Sequence, residues 1–243
     1  MKKIAIIGAG ISGLFIANLL KRNSNYQITV FEKNQSINLT EGYGLQLSVN
    51  SIKLLNEIEF HKFDKSKKFN PEKINFYSTK NTNKICDLSI SDFNSQDCKY
   101  TTLKRSDLVN FLKTGLENLI KTNHSITQIN QENQKIKITF ENDELFESDI
   151  LIISDGVFSK SKKLISNSKA NPRYNKTLAI RGTISISSNF IDKKNISLFL
   201  GSNFHYVIYP VTQDGDLNFI AIMKYNLSIN EQKNYSLFND DDF

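Results

Sequence analysis

Gly8-Ala9-Gly10-Ile11-Ser12-Gly13 stands between the apolar run Ile4-Ala5-Ile6-Ile7 and a segment of helical periodicity, and Glu32 closes the next apolar run 19 residues after Gly13. Few patterns constrain a chain more tightly. Ile4 to Ile7 reads as a buried parallel strand. A helix is expected from about Ser12 to Arg22, because Leu14, Phe15, Ala17 and Leu20 recur at helical spacing and Asn23-Ser24-Asn25 stops it. Gln27 to Phe31 then forms a second strand, completing a βαβ unit of about 30 residues. The three glycines differ in what they allow. Gly8 permits the tight turn, Gly10 lets a pyrophosphate approach the backbone, and Gly13 lets the helix pack closely on the strand. Backbone N–H groups and the positive end of the helix face the phosphates, and Glu32 is placed to accept hydrogen bonds from a ribose diol. The pattern by itself does not separate NAD from FAD, and its plain alternative is a glycine turn that binds nothing.

The same N-terminus imitates a secretory leader, since Met1-Lys2-Lys3 precedes a mostly apolar stretch reaching Leu20. Gly8, Gly10, Ser12 and Gly13 interrupt that stretch, and no small-x-small cleavage site precedes Lys21. It also falls short of the roughly 20 apolar residues a membrane span requires. A cytoplasmic protein is expected, with Cys86 and Cys98 reduced; two cysteines make no disulfide framework, and no CxxC or Cys/His cluster offers a metal site. With 39% apolar and 23% charged residues the composition is ordinary for a globular chain. The excess of 31 basic over 25 acidic residues, a net charge of +6, raises the question of nucleic acid. Only four of those residues are arginines, and the densest lysine runs, 62–68 and 160–169, are short and separated. A solvated surface is expected rather than a nucleic-acid stripe.

Further along, a short strand is expected from Leu45 to Val49. A helix should follow from Ser51 to Ile58, burying Ile52, Leu54, Leu55 and Ile58, and Ile74 to Ile90 alternates as strands turning near Asn81. A helix capped by Ser106 is expected to run through Leu108, Phe111, Leu112, Leu116 and Leu119. Ser125–Ile129, Lys135–Phe140 and Leu145–Ser148 read as an antiparallel meander. It leads into the buried strand Ile150 to Ile153, which stops at Ser154-Asp155-Gly156. Thr177 to Lys224 is strand-dominated, and Asn239 to Phe243 is expected to fray.

With these segments in order, the chain resembles the FAD-dependent aromatic hydroxylases, including salicylate hydroxylase-like and ubiquinone-pathway monooxygenases. Besides the glycine motif, the resemblance rests on the segments 41–50 (EGYGLQLSVN), 103–108 (LKRSDL), 149–159 and 200–210 (LGSNFHYVIYP). It implies an α/β chain: a Rossmann-like FAD-binding domain of glutathione-reductase type with an antiparallel meander, and a partial mixed β-sheet substrate domain. The FAD-binding domain would cover residues 1–170, with about 60–100 contributing to the substrate sheet, and 171–243 would form the partial substrate domain. The resemblance also implies FAD at the fingerprint, Arg105 near the pyrophosphate, Asp155 and Gly156 as a second nucleotide motif, and Gly44 and Leu45 approaching the flavin through their backbone. Arg181-Gly182 matches a Trp-Arg-Gly segment of relatives, but Ile180 replaces the tryptophan and a structural arginine is expected.

The implied activity is hydroxylation of a small aromatic or quinone-like molecule by NAD(P)H and O2. His205, on one strand face with Val207 and Tyr209, is the candidate base for deprotonating a phenol, since imidazole titrates near neutrality; a packed strand histidine is the alternative. His61 and His124 are expected at the surface. Relatives also carry a C-terminal Gly-Asp motif that has no counterpart before Phe243, so a truncated product or fragment is expected. The alternative functions are thus a catalytically incomplete nucleotide-binding fragment and a flavin-dependent reductase or dehydrogenase of the same fold. Substrate identity and oligomeric state stay open.

Overall fold

The computed structural model describes residues 1–37, 39, 43–166, 173–184 and 192–233. β1 (Lys2–Ile7) runs into the glycine turn, α1 (Ile11–Leu20) returns, and β2 (Tyr26–Phe31) lies parallel to β1, with Ile4 opposite Ile28 and Ile7 opposite Phe31. Then come β3 (Gly44–Leu47), α2 (Val49–Asn56), β4 (Lys68–Phe69), β5 (Lys73–Ser78), β6 (Lys84–Ser89), β7 (Thr101–Lys104), α3 (Arg105–Lys113) and β8 (Ile120–Lys121). The meander is β9 (Ile126–Glu132), β10 (Lys135–Phe140) and β11 (Leu145–Ser148), and β12 (Ile150–Ile153) precedes α4 (Lys160–Ser166). β13 (Thr177–Ile184), β14 (Ile196–Leu200), β15 (Phe204–Pro210), β16 (Leu217–Lys224) and α5 (Ile229–Lys233) follow.

These strands make a parallel sheet in the order β12-β1-β2-β8, the meander β11-β10-β9, a small sheet β3-β7-β4, and a six-stranded sheet β13-β16-β15-β14-β5-β6. The last is mixed, because β14 pairs in parallel with β5 while the other pairs are antiparallel. β5 and β6 therefore share a sheet with β13 to β16.

β1 is apolar without alternation because both of its faces are covered. On one face Ile4 and Ile6 pack with Leu14 and Ala17 of α1 and with Leu108, Val109 and Leu112 of α3. On the other, Ala5, Ile7 and Phe31 meet Ile126, Ile138 and Phe140 of the meander. Each large apolar side chain buried this way stabilises the fold by about 1.5–3 kcal/mol. Asn18 breaks the apolar run for a reason: its buried Nδ2 donates to the Leu14 carbonyl at 2.9 Å and to the Leu112 carbonyl at 2.6 Å. It thereby satisfies a carbonyl near the end of α3 and joins the two helices.

Two helices depart from their sequence reading. α2 occupies Val49–Asn56, and Leu54 is 57% exposed instead of buried, while Ile52 and Leu55 enter the core. α3 begins at Arg105, not Ser106; Lys104 is its cap residue and makes no side-chain capping bond, and Asp107 in the first turn complements the positive helix end. That helix stops at Lys113, ahead of Gly115, whose φ of +76° turns the chain, so Leu116 is buried from outside the helix. The expected fraying of 239–243 lies outside the described residues. None of the described helices is long and apolar enough to cross a membrane.

Candidate functional site

Three parallel strands deliver their carboxyl ends to one place. Gly8 follows β1, Glu32 follows β2 and Ser154-Asp155-Gly156 follows β12, and ligands of such sheets collect at this end. Gly8 has a φ of +102°, and its N–H donates to the Phe31 carbonyl at 2.7 Å. A Cβ at Gly8 would lie 2.5 Å from the Ser154 carbonyl oxygen, and one at Gly13 would lie 2.0 Å from the Gly8 carbonyl oxygen. A Cβ at Gly10 would meet nothing within 4 Å. The outer two glycines are thus required by packing, and the middle one opens onto free space.

That space comprises two adjoining hollows that share Gly10, Glu32, Lys33 and Asn34. One, of about 260 Å³, is lined also by Gly8, His124, Asp155 and Gly156; the other, of about 730 Å³, is lined also by Ala9, Ile37 and Arg105. The expected residues Gly8, Gly10, Glu32, Arg105, Asp155 and Gly156 therefore meet around one continuous region. Glu32 is already engaged there: Oε2 accepts from the Ala9 N–H at 3.1 Å and Oε1 from the Asn34 N–H at 3.0 Å. Each oxygen keeps a second acceptor site for a ligand hydroxyl. Asp155 Oδ2 accepts from the Ser161 N–H at 3.0 Å, tying down the start of α4, while its Oδ1 is buried with no partner among the described residues. Gly156 takes a φ of +81°.

His124 corrects the sequence reading. It is only 9% exposed and forms part of the smaller hollow's wall. Its ring contacts Phe31 and Phe140 at centroid distances of 5.3 and 4.9 Å. Nδ1 lies 2.5 Å from the Thr122 carbonyl oxygen and Nε2 lies 2.8 Å from Glu144 Oε2. The Glu144 carboxyl is held below the usual carboxylate range, first by the Lys121 ammonium at 2.5 Å and then by His124. Ser154 is a second residue that the sequence does not single out: its Oγ lies 2.9 Å from the Ile7 carbonyl oxygen and 3.1 Å from that of Gly8, bracing the turn from β12. Neither residue has a local pattern that announces it. His61 is exposed as expected.

Gly44, Leu45 and His205 line neither hollow. Gly44 is buried where β3 meets the six-stranded sheet, and Leu45 packs its side chain on the main core while pairing in register with Leu103 of β7. His205 lies half-buried on β15, between Leu200 and Ile222 of the neighbouring strands. Val207 and Tyr209 share its face by strand alternation. Tyr209 is 1% exposed, and burial pushes its phenol up to about 12 against the lesser influences of Arg181 and Gln46. Tyr100 donates to Gln46 Oε1 at 2.8 Å, and burial raises its phenol too. Arg181 is exposed on β13 with its charge felt at Tyr209. Among the described residues no cluster of three or more His, Cys, Asp or Glu could hold a metal ion, and both cysteines are free thiols.

Chemically, the strand-end region offers backbone amides and a helix N-terminus to a phosphate and a carboxylate to a diol. Residues 6–39 match the model of an NAD(P)-binding Rossmann-like domain. The chain is 24% identical to 3-amino-4-hydroxybenzoate 2-monooxygenase of Streptomyces cremeus, over 90% of this chain and 56% of that protein. It is 22% identical to a salicylate hydroxylase of Pseudomonas putida, over 91% of this chain and 54% of that protein. Its fold matches Klebsiella pneumoniae HpxO, solved with FAD and uric acid, at a TM-score of 0.82 and 18% identity, covering 94% of this chain and 58% of that one. The resemblance to aromatic hydroxylases thus extends from motifs to whole-chain similarity, and the Rossmann-like α/β fold is shared. The chain spans little more than half the length of the curated relatives it matches.

Proposed function

We propose that this chain supplies the FAD-holding region and part of the substrate-facing sheet of a monooxygenase that hydroxylates a small aromatic or quinone-like molecule with NAD(P)H and O2. The observation that carries the reading is the meeting of the glycine turn, Glu32 and Asp155-Gly156 at the ends of three parallel strands, beside Arg105. The residues fit an adenine dinucleotide: Gly10 opens onto free space, and Asp155 presents a buried acceptor with no partner among the described residues.

In this reading the amides of the Gly8–Gly13 turn and the N-terminus of α1 hold the pyrophosphate, with Arg105 adding a positive charge beside it. Glu32 holds the ribose diol while its backbone partners keep the carboxylate aimed. His124, backed by Phe31 and Phe140, walls the adenosine side. Gly44 and Leu45 lie at the flavin end, where the Gly44 N–H is held by Asn218 Oδ1 and Leu45 pairs with Leu103, so the Gly44 carbonyl is the backbone group left to face the flavin. Bound flavin supplies the chemistry of electron uptake and oxygen transfer. The six-stranded sheet positions the aromatic ring and shields it from water, and His205 takes the phenolic proton so that the ring becomes a better nucleophile. Residues 1–170, with about 60–100 lent to the sheet, and 171–243 are the two functional regions of this proposal.

The test is to supply the protein carrying this chain with FAD, NAD(P)H and salicylate-like aromatic acids. Oxygen consumption should match hydroxylated product. Substrate-dependent oxygen consumption without that product would replace this reading with a flavin-dependent reductase or dehydrogenase. His205→Ala should depress hydroxylation at least tenfold while FAD affinity stays within about threefold, a difference of under 1 kcal/mol in binding. Equal hydroxylation by both proteins would remove His205 from the role.

A further inference from the structure

Asn218 belongs to β16, yet its side chain serves β3. It is 0% exposed, and its Oδ1 accepts from the Gly44 N–H at 2.6 Å, joining residues 174 positions apart. Its Nδ2 is buried without a partner among the described residues. A buried unpaired donor opposes folding, and its presence in a folded chain calls for a reason. The contact it accompanies is close on every side. A Cβ at Gly44 would lie 2.7 Å from Val211 Cγ1 and 2.8 Å from Asn218 Cβ, so only glycine lets β3 seat this near the sheet.

The same bond sits on an unbroken path between the two halves of the proposed site. The Tyr43 carbonyl, adjacent to Gly44, accepts from the Arg105 N–H at 3.0 Å, and Arg105 lines the larger hollow with Gly10 and Glu32. On the other side Asn218 pairs in register with Tyr209 of β15, four residues from His205 and on the same face. Lys104 to Asp216 at 2.6 Å and Thr102 Oγ1 to the Pro210 carbonyl at 2.5 Å are further stitches along this seam.

We infer that Asn218 is a positioning residue: by holding the Gly44 amide it fixes β3 against the six-stranded sheet and sets the spacing between the cofactor hollow and the His205 face. The second half of this inference rests on the function proposed above.

Asn218→Leu and Asn218→Asp provide the test. Leucine removes the acceptor and adds volume where the contact is close on every side, so thermal stability should fall as the grip on β3 is lost, and the unchanged exchange of a distant segment marks the chain as still folded. Amide exchange at Gly44 to Leu47 in the ligand-free chain should then quicken at least tenfold, with Gly8 to Gly13 unchanged. Aspartate, which keeps an acceptor oxygen in place, should return the slow exchange. With FAD added, the leucine variant should bind within threefold of the parent, show an altered visible circular dichroism of the flavin, and yield at most a third of the hydroxylated product per NAD(P)H. Equal exchange in parent and leucine variant overturns the tether. A tether confirmed by exchange, with flavin spectrum and product yield unmoved, overturns the positioning role. A parent chain that shows the exchange difference but takes up no FAD contradicts the proposed function and leaves the tether standing.

Discussion

At the carboxyl end of β1 the glycine turn and Glu32 come from one short stretch of chain, with His124 and Asp155 added to the hollow from outside it, whereas at the seam below the six-stranded sheet every contact is distant, Gly44 meeting Asn218 across 174 positions and Lys104 meeting Asp216 across 112. The first region is built by backbone geometry, with side chains excluded at Gly8 and Gly13 and a space left open at Gly10. The second is built by side chains: Asn218, Thr102, Lys104, and the two phenols that flank Gln46. A motif of fixed spacing can encode the one; only the folded topology brings together the other.

The sharpest way to break this contrast is to fill the glycines one at a time. Gly13→Ala places a methyl 2.0 Å from a backbone oxygen that cannot move aside. Overpacking of that kind costs about 3 kcal/mol, which should lower Tm by roughly 6–12 °C in a scanning calorimeter. Gly10→Ala adds the same methyl where nothing stands within 4 Å, at a φ of −80° that alanine accepts. Stability of the ligand-free chain should stay within about 0.5–1 kcal/mol, while FAD affinity by titration should fall at least tenfold, about 1.4 kcal/mol. If both variants lost stability equally, the division between packing glycines and a ligand glycine would be wrong.

The seam answers to pH instead. Burial raises the Tyr209 phenol to about 12, while an unfolded tyrosine titrates near 10. Between those values the unfolded chain releases a proton that the folded chain keeps, so stability is fully present below about pH 10 and falls as pH rises toward 12. Tyr209→Phe should flatten that alkaline loss in urea titrations run at pH 9 to 11.5; an unchanged slope would mean the phenol is not buried as described.

The smallest effect belongs to the hollow's outer wall. Glu144, held down by Lys121 and then His124, contributes stability above the unfolded carboxylate range that is lost as pH falls through its own depressed value. Its side chain is 36% exposed, so solvent screening limits the pair to about 0.5 kcal/mol. Glu144→Gln should remove that much at pH 7 and nothing at pH 2, measured by the urea midpoint. A loss of several kcal/mol would instead make the His124 wall a principal support of the fold.

The contrast also explains which parts of the molecule are legible in its sequence. β1, α1, β2, the meander and β12 announce themselves by period and punctuation, and the glycine motif with Glu32 and Asp155-Gly156 locates the hollow. The end of α3 is hidden because Leu116 and Leu119 keep a helical spacing through a turn that Gly115 makes with positive φ. Leu54 misleads because the apolar face of a short helix is decided by what packs on it. His124 looks polar by its neighbours, yet its ring packs against the touching pair Phe31 of β2 and Phe140 of β10. Asn218 carries no local signal at all, since its partner comes from the other end of the chain.

Displacement of bound FAD by ADP is the decisive measurement, because the proposed function has this strand-end hollow grip the adenosine diphosphate half of the cofactor. Quenching of flavin fluorescence by the chain should saturate with FAD, reverse on adding ADP, and fail with FMN, which has no adenosine. An unquenched FAD signal, or equal binding of FMN that ADP leaves untouched, would contradict it.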